Sequence, residues 1–147
     1  MKNIFTLTLL VIFALSCHDE SNFRSSENID NPADRIETLR NYISLKSELI
    51  DAEYNIFDVN LNSNRSIPGP SSRDYKIALL IDKNNIANWL QDLNTSSFQL
   101  DYDWIYDLIK SNDNFYLSSK PIIYTGENTE LILFEEESII FIRIVQD

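Results

Sequence analysis

The chain has 147 residues, enough for one core of useful size and too few for two comfortable domains. An apolar fraction of 44% with 12% aromatic residues is ordinary for a globular protein and argues against wholesale disorder. A formal net charge of -11 makes nucleic acid a poor partner, and two glycines are too few for phosphate-binding loops that need repeated φ > 0 positions.

Met1-Lys2-Asn3 carries one positive charge, and the twelve residues from 4 to 15 carry none. As a helix that run rises about 18 Å, well short of a hydrocarbon core of roughly 30 Å, so it reads as the apolar region of a leader and not as a span. Ser16 and Cys17 follow, and Cys17 is the only cysteine. An intrachain disulfide is therefore excluded, and the thiol is free, bridged to another chain, or consumed by modification.

The stretch Ala14-Leu15-Ser16-Cys17 resembles the lipobox of bacterial lipoproteins. The resemblance implies cleavage before Cys17 and a lipid, diacylglycerol with palmitate-like chains, on its sulfur. It covers residues 1–17 and departs from the pattern at Ala14, where a leucine is usual. The implied organisation is a signal peptide over 1–16, a flexible acidic tether over 17–31, and a globular domain over 32–147. The address would be the cell envelope, on the outer membrane, either at its periplasmic face or at the cell surface. His18-Asp19-Glu20 directly after the cysteine resembles the export tags of surface-displayed lipoproteins. The chain's acidity gives no attraction to anionic headgroups, so attachment has to come from the anchor.

Asn31-Pro32 opens a helical pattern, because proline's missing N–H costs nothing in a first turn. The spacing of Ile36, Leu39, Ile43 and Ile50 predicts a helix over 33–50. The period then changes to two over 52–61, where Phe57, Val59 and Leu61 alternate with Asp58 and Asn60. Tyr54 and Ile56 take the opposite parity, which a bulge or a two-sided strand would explain.

Residues 65–75 hold Pro68-Gly69-Pro70 between Arg65 and the Arg73-Asp74-Tyr75 triplet, a stiff exposed turn. Its R-x-x-P-G-P-S-x-x-D-Y pattern is similar to one in small uncharacterised bacterial proteins, a likeness over about residues 52–93 that implies no activity. Two arginines beside a rigid bend could present a guanidinium to an anionic ligand or a protein partner, which makes Arg65, Arg73, Asp74 and Tyr75 candidate binding residues. The competing reading is local pairing of an arginine with Asp74 across a plain connection.

Tyr75, Ile77, Leu79 and Ile81 predict one face of a strand. Asp82 can cap a helix carrying Ile86, Trp89, Leu90 and Leu93 on one stripe, and Asp101 can cap a third that runs to about Lys110. Strands are expected over 115–117, 122–124, 130–135 and 138–145, with the last two forming an antiparallel hairpin about Glu135-Glu136-Glu137. Residues 139–145 are apolar on both parities except Arg143, which predicts a strand covered on both faces, or one with one face packed and the other paired with a partner. The sum is a one-domain α+β fold: a mostly antiparallel sheet of four to six strands packed with about three helices.

The only histidine, His18, stands beside Cys17, which removes serine–histidine and cysteine–histidine catalysis and zinc clusters from consideration. Asp101, Asp103 and Asp107 superficially resemble a calcium loop but lack its bend glycine and its twelfth-position glutamate. A carboxylate pair for hydrolysis could be drawn from Asp58, Asp74, Asp101 or Asp103, with nothing to fix its separation. No catalytic set, metal site or cofactor is expected. The reading is a lipid-anchored envelope protein with a non-catalytic binding or accessory role. The alternatives are an immunity or inhibitor protein whose acidic face docks a basic toxin or hydrolase, and a carboxylate-dependent hydrolase.

Overall fold

A computed structural model describes residues 22–59, 72–97 and 102–146. One antiparallel sheet of seven strands organises them, in the order β1-β2-β3-β7-β6-β5-β4. The strands are β1 (Phe23–Ser25), β2 (Leu49–Asp58), β3 (Arg73–Ile81), β4 (Asn94–Thr95), β5 (Ile122–Thr125), β6 (Thr129–Phe134) and β7 (Ile139–Gln146). Three α-helices accompany them: α1 (Pro32–Leu39), α2 (Ile86–Trp89) and α3 (Trp104–Ile109). The expected class is observed, with seven strands where four to six were expected.

The first face of the sheet is the larger core. Ala52, Tyr54 and Ile56 of β2, the four predicted residues Tyr75, Ile77, Leu79 and Ile81 of β3, and Ile140 and Ile142 of β7 pack together there under Leu39, Ile86 and Trp89. Burying several such aliphatic and aromatic side chains stabilises the fold by about 1.5–3 kcal/mol each. On the second face, Ala78, Ile132, Phe134, Ile139 and Phe141 are covered by Ile105, Leu108 and Ile109 of α3 and by Phe115. Trp104 and Phe134 each meet Phe141 edge to face, with centroids 6.0 and 5.8 Å away. Residues 139–142 are thus buried from both sides, the first of the two arrangements that their double apolar parity allows.

Four local expectations are corrected. The first helix ends at Leu39, and Ile50 is exposed in β2. Asn41, Ser44 and Ser47 offer side-chain competition for backbone groups, and the chain turns so that Ile43 and Leu45 still reach the core. In β2 the buried parity is that of Tyr54 and Ile56, while Phe57 and Val59 face outward. A register shift between Leu49 and Asp51 marks a bulge at the start of this two-sided strand. Residues 115–117 form no strand; Phe115 instead plugs the space beside α3.

The fourth concerns the tether. Phe23, Arg24 and Ser25 pair with Phe57, Ile56 and Asn55, and the buried Ser26 donates its backbone N–H to Tyr54 O at 3.0 Å. The Arg35 guanidinium then holds the Ile29 and Asp30 carbonyls at 2.6 and 3.1 Å. Backbone pairing to the open edge of β2 thus orders residues before the expected domain start at 32. The helix caps behave as the sequence implies: Asn31 Oδ1 accepts from Ala33 N, and Asp82 Oδ1 accepts from Asn84 N. Asp82 caps a 3₁₀ turn, Lys83–Asn85, that leads into α2. Asp101 lies outside the described residues, and α3 begins after Asp103 without a side-chain cap.

Candidate functional site

A groove of about 690 Å³ opens on the first face, a volume typical of small-molecule sites. Leu131, Ile142 and Ile144 form its floor, where β6 and β7 extend past the cover of α2. One wall is the turn after α1, held by the Tyr42 and Ile43 N–H groups donating to Leu39 O at 3.0 and 3.2 Å. Trp89 is buried at the groove, its ring oriented by Nε1 donating to Ser47 Oγ at 2.9 Å.

The opposite wall depends on two turns. Asp92 takes φ 66°, a left-handed conformation that aspartate tolerates better than most residues, and this swings Leu93 back against the sheet. Gly126 receives it: a Cβ there would stand 2.8 Å from Leu93 Cδ2. Lys46, Asp92 and Glu127 are exposed at the rim, so an apolar interior is bordered by charge of both signs. Such a site can hold an apolar or aromatic group and orient a polar end.

Of the expected binding residues, the three that are described lie on two faces of the sheet. Cys17 and Arg65 lie outside the described residues. Arg73 and Tyr75 share the first face and converge on Asp58: Tyr75 Oη donates to Asp58 Oδ2 at 2.6 Å, and Arg73 Nε is 3.1 Å from the same oxygen. Asp58 is 4% exposed, and burial together with its hydrogen bond pushes the Tyr75 phenol up to about 12. Asp74 points to the second face, where Arg143 Nε lies 3.2 Å and Lys76 Nζ 3.8 Å from its carboxylate. Arg73 therefore pairs with Asp58 and not with its neighbour Asp74. Because Asp58 and Asp74 occupy opposite faces, they cannot flank one bond as a hydrolytic pair.

A second polar cluster escaped the sequence reading. Asp51 and Glu53 project to the second face of β2 and are 1% and 5% exposed. Arg35 reaches them from α1, with Nη2 2.6 Å from Asp51 Oδ1 and Nε 3.5 Å from Glu53 Oε1. Asn112 Nδ2 bridges Asp51 Oδ2 at 3.0 Å and Glu53 Oε1 at 2.6 Å, Asn114 Nδ2 donates to Asp51 at 3.0 Å, and Ser26 Oγ donates to Glu53. Burial opposes charge on Asp51, but the hydrogen bonds from Arg35, Asn114, Asn112 and the Ala52 N–H outweigh it and hold the carboxyl below its usual value. The cluster ties the β1–α1 connection, β2 and the segment after α3 together, with both acids fully engaged. The alternation of Asp51 and Glu53 with Ala52, Tyr54 and Ile56 was its visible signal.

Among the described residues no group of three or more His, Cys, Asp or Glu could hold a metal ion, and no helix is long and apolar enough to cross a membrane. Comparison with protein-family models, with curated proteins and with solved structures returned no match, so the reading below rests on the chain's own residues and geometry.

Proposed function

We propose that this chain is a lipid-anchored protein of the bacterial cell envelope, attached through Cys17, whose folded part is a non-catalytic binding module with the groove at Trp89 as its ligand site. The lipobox-like run ending at Cys17 supports the address. The groove carries the binding reading: an apolar floor about Ile142 and Ile144, an oriented Trp89, and a rim with Lys46 opposite acidic residues. A binding role is also preferred to hydrolysis because Asp51 and Glu53 are consumed in holding three segments together, leaving neither oriented toward a reacting group.

An apolar dye whose fluorescence rises in nonpolar surroundings, such as anilinonaphthalene sulfonate, tests this with Ile144→Glu, at the groove floor, and Val145→Glu, on the opposite face. Loss of enhancement in Ile144→Glu alone supports the groove. Equal enhancement in wild type and both variants contradicts it.

A further inference from the structure

Among the described residues the second face is half covered: α3 and Phe115 close it over Ala78 and Phe141, and no described helix packs on the rows toward the other end of the sheet. One such row runs through register partners Phe23, Phe57, Asp74 and Val145 across β1, β2, β3 and β7. Phe23 is 47%, Phe57 40% and Val145 39% exposed, and Val59, just past the end of β2, is 36% exposed. Asp74 adds little net charge to the row, since its carboxylate is drawn toward Lys76 and Arg143 in the adjacent row. Lys76 and Arg143 are balanced on this face by Asp74 and by Glu130, the register partner of Arg143, so what suits the row to a membrane interface is its exposed aromatic and aliphatic side chains without net charge. Here they occur on a chain whose net charge is -11.

The described residues also begin at this corner. The Asn22 carbonyl accepts from Asp58 N at 2.9 Å, which fixes residue 22 beside the end of β2. Only five residue steps separate Cys17 from Asn22, a reach of about 17 Å at full extension. A lipid on Cys17 would therefore hold the Phe23, Phe57 and Val145 row close to headgroup depth, where even a weak affinity is multiplied by high local concentration.

We infer that the anchored protein lies on the bilayer through this open half-face, with Phe57 and Val145 at the headgroup boundary and the Trp89 groove on the opposite face turned to solvent. The inference rests on the lipid-anchor reading. The short connection favours the bilayer over a second copy of the chain, because it places lipid, and not another protein, beside the patch.

The test uses lipidated protein purified from membranes and reconstituted in phosphatidylethanolamine–phosphatidylglycerol vesicles. Val145→Cys and, on the exposed 3₁₀ turn, Lys83→Cys are labelled with a polarity-sensitive dye. With Cys17 acylated, each variant takes up one dye. A blue-shift at position 145 and none at 83, reduced when Phe57→Ser is added, is the expected result. The same spectrum at both positions overturns membrane docking while one dye per chain leaves the anchor standing. A shift at 145 that vanishes on diluting protein in lipid marks a second copy and also overturns it. Two dyes per chain mean a free Cys17 and overturn the anchor and the docking together.

Discussion

The Arg35 guanidinium and the Asp51 carboxylate meet at 2.6 Å with side chains 7% and 1% exposed, joining α1 to a strand whose other face builds the main core. Such a pair is weak evidence of net stabilisation, since both ions lose their hydration. Its asymmetry is the useful property: taking one partner away strands the other.

Arg35→Ala should therefore cost about 3–5 kcal/mol in urea unfolding, because Asp51 and Glu53 would stay buried without a cation. Asn112→Ala should cost less, about 1–3 kcal/mol, as it removes three hydrogen bonds, one of them accepted from Asn114 N, but no charge. Asp51 also sets an acid limb. Its pKa is lowered on folding, so its contribution is complete above the ordinary value of 3.8 and is lost as pH falls below that. Asp51→Asn should shrink the loss of stability in that range.

Tyr75 sets the alkaline limb with the opposite sign. Its folded pKa is raised from 10 to about 12, so the unfolded chain ionises first, and stability falls as pH rises from 10 through 12. Thermal melts over that range should show a shallower decline for Tyr75→Phe than for wild type. An identical decline would mean that burial and the Asp58 hydrogen bond do not delay ionisation of Tyr75 in the fold.

Glu137 of the β6–β7 turn should act as a latch. It accepts from the backbone N–H groups of Ser118 and Ser119 at 2.8 and 2.7 Å and from both hydroxyls, which depress its pKa to about 2. The latch is complete above pH 4.5 and opens as pH falls toward 2. Hydrogen exchange at the Ser118 and Ser119 amides should be slow in wild type and fast in Glu137→Gln at neutral pH, with global stability little changed.

The two parities of the sheet can be compared directly. Phe141, fully buried between Trp104 and Phe134, should lose about 3–5 kcal/mol on replacement by alanine. Phe57, 40% exposed, should lose far less, and denaturant titration of the two variants reads the difference.

These contrasts show what the sequence carries. The face of β3 follows from strict alternation at Tyr75, Ile77, Leu79 and Ile81, and the hairpin from two apolar runs about Glu135-Glu136-Glu137, with Phe134 opposite Ile139. Strand β2 misleads because Asp58 is buried by Tyr75 and Arg73, which inverts the usual rule that the polar residue faces water. β1 and β4 are three and two residues long, held by backbone pairing that leaves little side-chain pattern. The groove is harder still. Its walls come from the turn after α1, from Asp92-Leu93 and from Gly126, each ordinary alone, and their meeting is a property of sheet order. Trp89 and Leu93 were legible as an apolar stripe, but not that the sheet beneath extends beyond it.

The most direct test of the central claim is mass spectrometry of the mature N-terminus from membrane fractions. The account predicts a chain that starts at Cys17 and carries a diacylglyceryl group on its sulfur. Recovery of an unmodified Cys17, or of intact Met1, would contradict it.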